Sequence, residues 1–381
     1  MEPSSPRHLV LAGGGHAHVE VLRRLARKPL PNARVTLISP DASTPYSGMI
    51  PGYLAGHHTF AEAHLDVQRL ARAANADFVE ARITGLDLAR RQVLCAGHAP
   101  ISFDLLSLNT GSTPRLRDVP GAAEHALPVK PIASFVAGWE RVVERLPRAT
   151  SQPFRVAVVG GGAGGLELTL ALQYRSQQNS GARNQSSPVM EFSIVTESPE
   201  IVPSHNFRTR KKFARILAAR GVATRLRHRA VAVEPGRLRC DPGGMIEADC
   251  FIWATNAAAP EWIYESGLQT DAGGFVTVSD TLQSVSHPFV FAAGDVATAL
   301  NHPRPKAGVF AVRQGPPLAE NLGRVWLGEP PRPFVPQREF LSIISTGNQY
   351  AVASRGNWAV EGAWVWRLKD WIDRRWMRRY Q

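Results

Sequence analysis

The sequence predicts an α/β protein with two Rossmann-like dinucleotide-binding domains and an amphipathic C-terminal helix. Three observations carry this reading. A strand, a glycine turn and a helix open the chain in "LVLAGGGHAHVEVL" (9–22). The same pattern restarts at residue 154 in "FRVAVVGGGAGGLELTLALQYR". The last stretch, "GAWVWRLKDWIDRRWMRRYQ", spaces tryptophans and arginines as a helix would.

Composition sets the bounds. The chain has 381 residues, enough for two or three domains, and its 44% hydrophobic and 20% charged content is that of a globular protein. The net charge is +12, and 38 of the 44 basic residues are arginine. Such a surface attracts anionic cofactors, anionic lipid or nucleic acid, but no recognised nucleic-acid module appears. Cys95, Cys240 and Cys250 form no C-x-x-C pair, which argues against a disulfide framework, a structural zinc site and a local dithiol centre. The start "MEPSSPRHLV" lacks a charged-then-apolar signal segment, and no stretch reaches the ~20 apolar residues of a membrane span. A cytoplasmic location is expected, with room for a peripheral place on the inner face of the cell membrane.

The first unit reads β-α-β: "RHLVLAG", "HVEVLRRLARK" and "ARVTLISP". Gly13 and Gly15 stand at the first two glycines of G-x-G-x-x-G, and His18 replaces the third. That glycine normally permits close packing of helix on strand, so His18 predicts a helix pushed slightly outward. His16 opens the helix. Ser39 ends the second strand, where a carboxylate is usual, and can still bond a ribose. His16 and His18 are two apart and point to different helix faces, so no metal site is expected.

The second unit is complete. Gly160 allows a tight turn, Gly162 lets backbone approach a pyrophosphate, and Gly165 lets the helix pack on the strand. Backbone N–H groups at a helix start then hold the anion. Glu197 ends the next strand and can accept from both ribose hydroxyls while repelling a 2′-phosphate. NADH is therefore favoured, with NADPH admitted by Arg208 and Arg210 downstream. The polar segment 176–188 reads as a surface insertion.

"TLQSVSHPFVFAAGDVAT" (281–298) connects the two units. It is similar to the segment that closes the flavin site in the pyridine nucleotide-disulfide oxidoreductase superfamily. "LNTGSTP" (108–114), with Thr110 and Gly111, and "ATNAAAP" (254–260), with Asn256 at a glycine position, resemble that family's interdomain turns. The resemblance implies that the first loop holds the ADP part of FAD and the second holds NAD(P)H. It implies that Gly294 and Asp295 close on the ribityl chain, and that Pro45 and Tyr46 of "TPYSGMIPGYLAGHH" lie beside the flavin. That stretch, "PVKPI" and "PKAGVFAVRQG" resemble type II NADH:quinone oxidoreductases and sulfide:quinone oxidoreductases, and more closely a group associated with selenide, water dikinase.

The family's activity is hydride transfer from nicotinamide to flavin and on to an acceptor. It implies a helix beginning near Gly308 that aims its positive end at the flavin, with Lys306 and Lys130 as nearby charges. It implies Glu167 in the nicotinamide cleft and Gln314 on the acceptor side. Neither the cysteine pair of disulfide reductases nor the flanking cysteines of sulfide oxidation is present. A quinone or another small acceptor remains. The rival readings are a soluble reductase of selenium or sulfur metabolism, acting on a small molecule or partner protein, and a flavin-binding module without turnover.

On a helical wheel Trp364, Val365, Leu368, Trp371, Ile372 and Trp376 share one arc, and residues 362–381 carry a net charge of +4. Tryptophan and arginine suit an anionic membrane surface, and packing on the body or in a homodimer is the alternative. The expected domains are 1–130 with 246–335 for FAD, 131–245 for NAD(P)H, and a C-terminal segment 336–381.

Overall fold

The first strand, β1 (Arg7–Ala12), buries Leu9, Val10, Leu11 and Ala12 completely. A strand apolar on both faces belongs inside a parallel sheet covered on both sides. The computed structural model describes residues 6–146, 152–182, 189–255 and 257–381. In it β1 turns at Gly13–Gly15 into α1 (His16–Arg27) and returns as β2 (Ala33–Ser39). The stretch after β2 forms a short strand over Ser43–Pro45 and a short helix over Ile50–Ala55. Next come β3 (Asp77–Glu80), β4 (Leu105–Leu108) and β5 (Ala126–Pro128).

The second unit repeats the first. β6 (Phe154–Val159) turns into α2 (Ala163–Ala182), followed by β7 (Met190–Val195), α3 (Phe207–Ala219), β8 (Ala223–Arg225) and β9 (Cys250–Trp253). The chain then returns to the first sheet as β10 (Val290–Ala292) and covers it with α4 (Gly308–Trp326). The sheet orders are β10-β4-β1-β2-β3 and β5-β9-β6-β7-β8, with parallel pairing throughout both. The strands that follow each glycine loop are thus stacked in the same order. Composition alone makes 176–188 a surface insertion, whereas α2 continues through residue 182; residues 183–188 lie outside the described residues.

An antiparallel sheet of β11 (Ser342–Ser345), β12 (Ala351–Arg355) and β13 (Trp358–Gly362) leads into α5 (Ala363–Met377). The core of the first sheet includes Leu318, Leu322 and Trp326 of α4, and Trp376, Met377 and Tyr380 from the tail. The core of the second includes Ile344 and Val352 of the small sheet.

The arc expected on α5 does not face one way. Val365 and Trp376 are buried, whereas Trp364, Trp371 and Ile372 are exposed. The inward stripe runs Val365, Lys369, Asp373, Trp376, Met377 and Tyr380, with Lys369 half-buried and the others buried. It includes two ionic residues that a hydrophobicity count assigns to water, because each has a partner on the body of the protein. No helix among the described residues is long and apolar enough to cross a membrane.

Candidate active site

Both glycine loops sit at the carboxyl ends of their sheets, where two glycines of each loop leave no room for a Cβ. Gly13 has φ +102°, and a Cβ there would lie 2.5 Å from Asn109 O. A Cβ on Gly15 would strike Asn109 Oδ1. α1 begins at His16 after Gly15, which has no side chain to cap it; Asn109 Oδ1 takes the N–H groups of Ala17 and His18, and the positive dipole end of the helix faces the loop.

His18 is fully buried behind the loop. Its Nδ1 is 2.6 Å from Gly13 O and its Nε2 is 2.8 Å from Ser107 Oγ. Burial lowers its pKa to about 4, so the ring is neutral, donates from Nδ1 and accepts at Nε2. The imidazole therefore takes the packing place of the third glycine without standing in the crevice. His16, whose pKa burial also lowers to about 4, lies at the open end, 5.4 Å from the Tyr46 ring.

The strand exits beside the loop supply polar groups. Gly294 has φ +73° and begins a short 3-10 turn that presents Asp295. Asp295 Oδ2 accepts from Lys130 Nζ at 2.9 Å and from Ser112 Oγ at 3.2 Å. Lys130 also donates to Ser112 Oγ at 2.9 Å. Thr110 Oγ1 is buried and has no protein partner. Ser39 closes β2 under the loop, where a Cβ on Gly14 would come within 2.9 Å of its Oγ.

The second crevice repeats this plan. Gly160 has φ +133°, and Cβ atoms on Gly160 and Gly165 would strike Ala254 O and Gly160 O. Around Gly162 and Gly164 nothing lies within 4 Å of an added Cβ. Thr255 Oγ1, at the place equivalent to Thr110, is again without a protein partner. Glu197 is exposed just past β7, Arg210 is paired with Glu200, and Arg208 is exposed. Asn256 lies outside the described residues.

Two cradles closed to a Cβ, each beside an orphaned threonine hydroxyl, fit two dinucleotides. Backbone donors at such loops suit a pyrophosphate.

α4 starts at Gly308, and a Cβ there would strike Ser47 Oγ, so its N-terminus abuts the 45–48 segment. Lys306, expected to add charge at this end, turns toward the neighbouring strand. Its Nζ donates to Ala297 O at 2.6 Å and Thr298 Oγ1 at 2.8 Å and lies 3.7 Å from the Phe275 ring centre. Burial lowers its pKa to about 8. Gln314 faces Gly294, whose N–H it accepts at 2.6 Å. Pro45 pairs with His64 in a short antiparallel ladder.

A buried ionic group joins α2, the 45–48 segment and α5. Glu167 Oε1 accepts from Ser345 N at 2.7 Å, and burial raises its pKa to about 7 against the pull of Lys369. Lys369 donates to Gly48 O and to Asp373 Oδ2, the latter at 2.7 Å. Burial alone would lower the Lys369 pKa, but Asp373 and Glu167 outweigh it and hold the ammonium charged. Tyr46 OH donates to Asp373 Oδ1 at 3.1 Å, and the Tyr46 ring stacks on Trp376 at 4.2 Å. Lys369, Asp373, Asn109 and Ser112 were missed by sequence reasoning. One signal existed for Lys369: it is the sole lysine of a tail otherwise basic through arginine. Among the described residues no cluster of metal-ligand type occurs.

The family model for pyridine nucleotide-disulphide oxidoreductases matches residues 7–315. The NADH dehydrogenase-like protein YutJ of Bacillus subtilis is 24% identical over 351 residues, 89% of this chain and 90% of the relative. A type II NADH:quinone oxidoreductase of Staphylococcus aureus is 19% identical over 342 residues, 86% of this chain and 85% of its own. The structure of NDH2 from Plasmodium falciparum in complex with NADH superposes with a TM-score of 0.79 at 14% identity, covering 98% of both chains.

Proposed function

The chain belongs to the pyridine nucleotide-disulphide oxidoreductase family, with FAD and NAD(H) as its cofactors, and from that premise we propose that it passes reducing equivalents from NADH to a quinone. The observation that carries the two-cofactor part is the pair of like crevices, each a glycine cradle beside an unpartnered threonine hydroxyl. FAD, when bound, supplies the hydride acceptance and onward electron transfer that no side chain can.

The chain's own residues bind, orient and hold protons. In this reading the FAD domain is residues 1–130 and 246–335 without Ala126–Pro128 and Cys250–Trp253, which pair in the second sheet and move the expected domain boundaries. Gly13, Gly15 and the backbone donors at His16 take the pyrophosphate, Ser39, Thr110 and Gly111 line the adenosine side, and Asp295 accepts from the ribityl hydroxyls. Lys130 fixes Asp295 through its 2.9 Å bond. Pro45 and Tyr46 wall the ring, and the N-terminus of α4 at Gly308 stabilises negative charge at the ring's edge. Residues 131–245 take NADH: Gly160, Gly162 and Gly165 cradle its pyrophosphate, and Glu197 accepts from the ribose and disfavours a 2′-phosphate.

A quinone needs protons as well as electrons. Glu167, with its pKa near 7, and the Lys369–Asp373–Tyr46 chain place exchangeable protons between the second loop and the 45–48 segment, which supports a quinone over an acceptor of electrons alone. The exposed Trp364, Trp371 and Ile372, with Arg367, Arg375 and Arg378 beside them, support docking of the segment 336–381 on an anionic membrane surface, where a quinone is found. The test is rapid mixing of the FAD-loaded chain with NADH and then with a soluble quinone analogue. The expected result is bleaching followed by recovery of the flavin absorbance. Bleaching with no quinone-dependent recovery contradicts the acceptor.

A further inference from the structure

The peptide group between Ala293 and Gly294 lies one residue before Asp295, and two side-chain amides hold it from opposite ends. Its carbonyl accepts from Asn109 Nδ2 at 2.6 Å. Its N–H donates to Gln314 Oε1 at 2.6 Å. The orientation of both amides follows from their partners, since a carbonyl only accepts and an N–H only donates.

Asn109 reaches further. It is 3% exposed, and its Oδ1 accepts from Ala17 N at 3.0 Å and His18 N at 3.4 Å, in the first turn of α1. Its own N–H donates to Ala12 O at 2.8 Å, at the end of β1. The side-chain amide therefore ties the start of α1 and the exit of β10 to the exit of β4, and the backbone of the same residue adds the exit of β1. The space is filled to contact: a Cβ on Gly15 would strike Oδ1, and one on Gly294 would lie 2.6 Å from Nδ2.

The second unit provides an internal comparison. At the place of Asn109 it has Ala254, whose Cβ lies 3.4 Å from a Cβ added at Gly165. There a third glycine lets helix and strand pack directly. In the first unit His18 occupies that place and a polar bridge takes over.

We propose that Asn109 and Gln314 are positioning residues, an amide clamp that fixes the Ala293–Gly294 peptide and so sets Asp295 against the N-terminus of α1 for flavin binding. The inference rests on the reading of the first crevice as the FAD site. Rotation of that peptide would swing Asp295 away from the sugar hydroxyls and from Lys130. Under the clamp, Gln314 acts through Gly294 rather than by touching the acceptor.

The test titrates FAD into the deflavinated full-length chain, wild type against Asn109→Leu, Gln314→Leu and Gln314→Glu. NADH binding to the second crevice is read in the same preparations. Losing one buried hydrogen-bond partner predicts FAD binding weakened about tenfold or more in each leucine variant. Gln314→Glu keeps an acceptor for Gly294 N–H and retains affinity within about threefold of wild type. NADH affinity stays unchanged in all of them. Should Asn109→Leu not fold, the two Gln314 variants carry the test. Leucine variants that bind FAD as wild type does overturn the clamp. So does a Gln314→Leu variant whose only change is a raised quinone KM. A wild-type chain that binds NADH but no FAD instead defeats the reading of the first crevice.

Discussion

Glu167 is an acid that folding makes weaker, and replacing it with glutamine should show this as a pH-dependent gain in stability. Its pKa stands near 7 against the ordinary 4.5, chiefly because burial disfavours the carboxylate. An acid raised in this way favours the fold while protonated. The associated stability is fully present below about 4.5, declines as pH rises, and is gone once pH passes about 7. The difference between the two values corresponds to at most about 3 kcal/mol, and the residual solvent contact of Glu167 lowers that figure. Glu167→Gln is neutral at every pH. Relative to wild type it should gain nothing at pH 4.5 and about 2–3 kcal/mol above pH 7. Urea unfolding of the FAD-loaded chain, wild type and variant in parallel across that range, measures the difference curve. A difference that does not rise with pH refutes the burial account. The same variant should lose any inflection near pH 7 in the quinone-reduction rate.

Lys369→Met removes the charge that pulls Glu167 downward, so the inflection in the pH–rate profile should move upward from about 7; an unmoved profile shows that the two groups are not coupled. Gly162→Ala meets no protein atom within 4 Å, so its unfolding midpoint should match wild type while the KM for NADH rises about tenfold; an unchanged KM removes the nucleotide from that loop. Asp295→Ala strands Lys130 and removes the sugar acceptor, and flavin affinity should fall at least about tenfold by the same titration. Trp364→Ser with Trp371→Ser alters side chains that are 55% and 56% exposed, so flotation with anionic vesicles should be lost without change in the unfolding midpoint. Retained flotation assigns the tail to protein contacts instead.

The parallel sheets were legible because their strands are continuous apolar runs entering glycines. Both the complete loop at Gly160 and the altered one at Gly13 appear where expected. His18 looked like a defect because the pattern carries no information on what lies beneath a loop; Ser107 and Gly13 O give the ring two partners and a place. Asn109 was hidden for a related reason. It stands inside "LNTGSTP", one residue before Thr110, and its four partners come from three other segments. The tail was read by hydrophobicity, which finds tryptophans and overlooks a lysine and an aspartate that satisfy each other in the docked face. Local spacing reports elements, whereas buried polar contacts form between residues hundreds of positions apart.

The central claim is two dinucleotide sites in one chain, placed so that electrons pass between their cofactors. Anaerobic titration of the FAD-loaded chain with NADH tests it most directly. The account predicts that one equivalent of NADH bleaches one flavin per chain. A chain that holds FAD and NADH together with the flavin absorbance unchanged would contradict it.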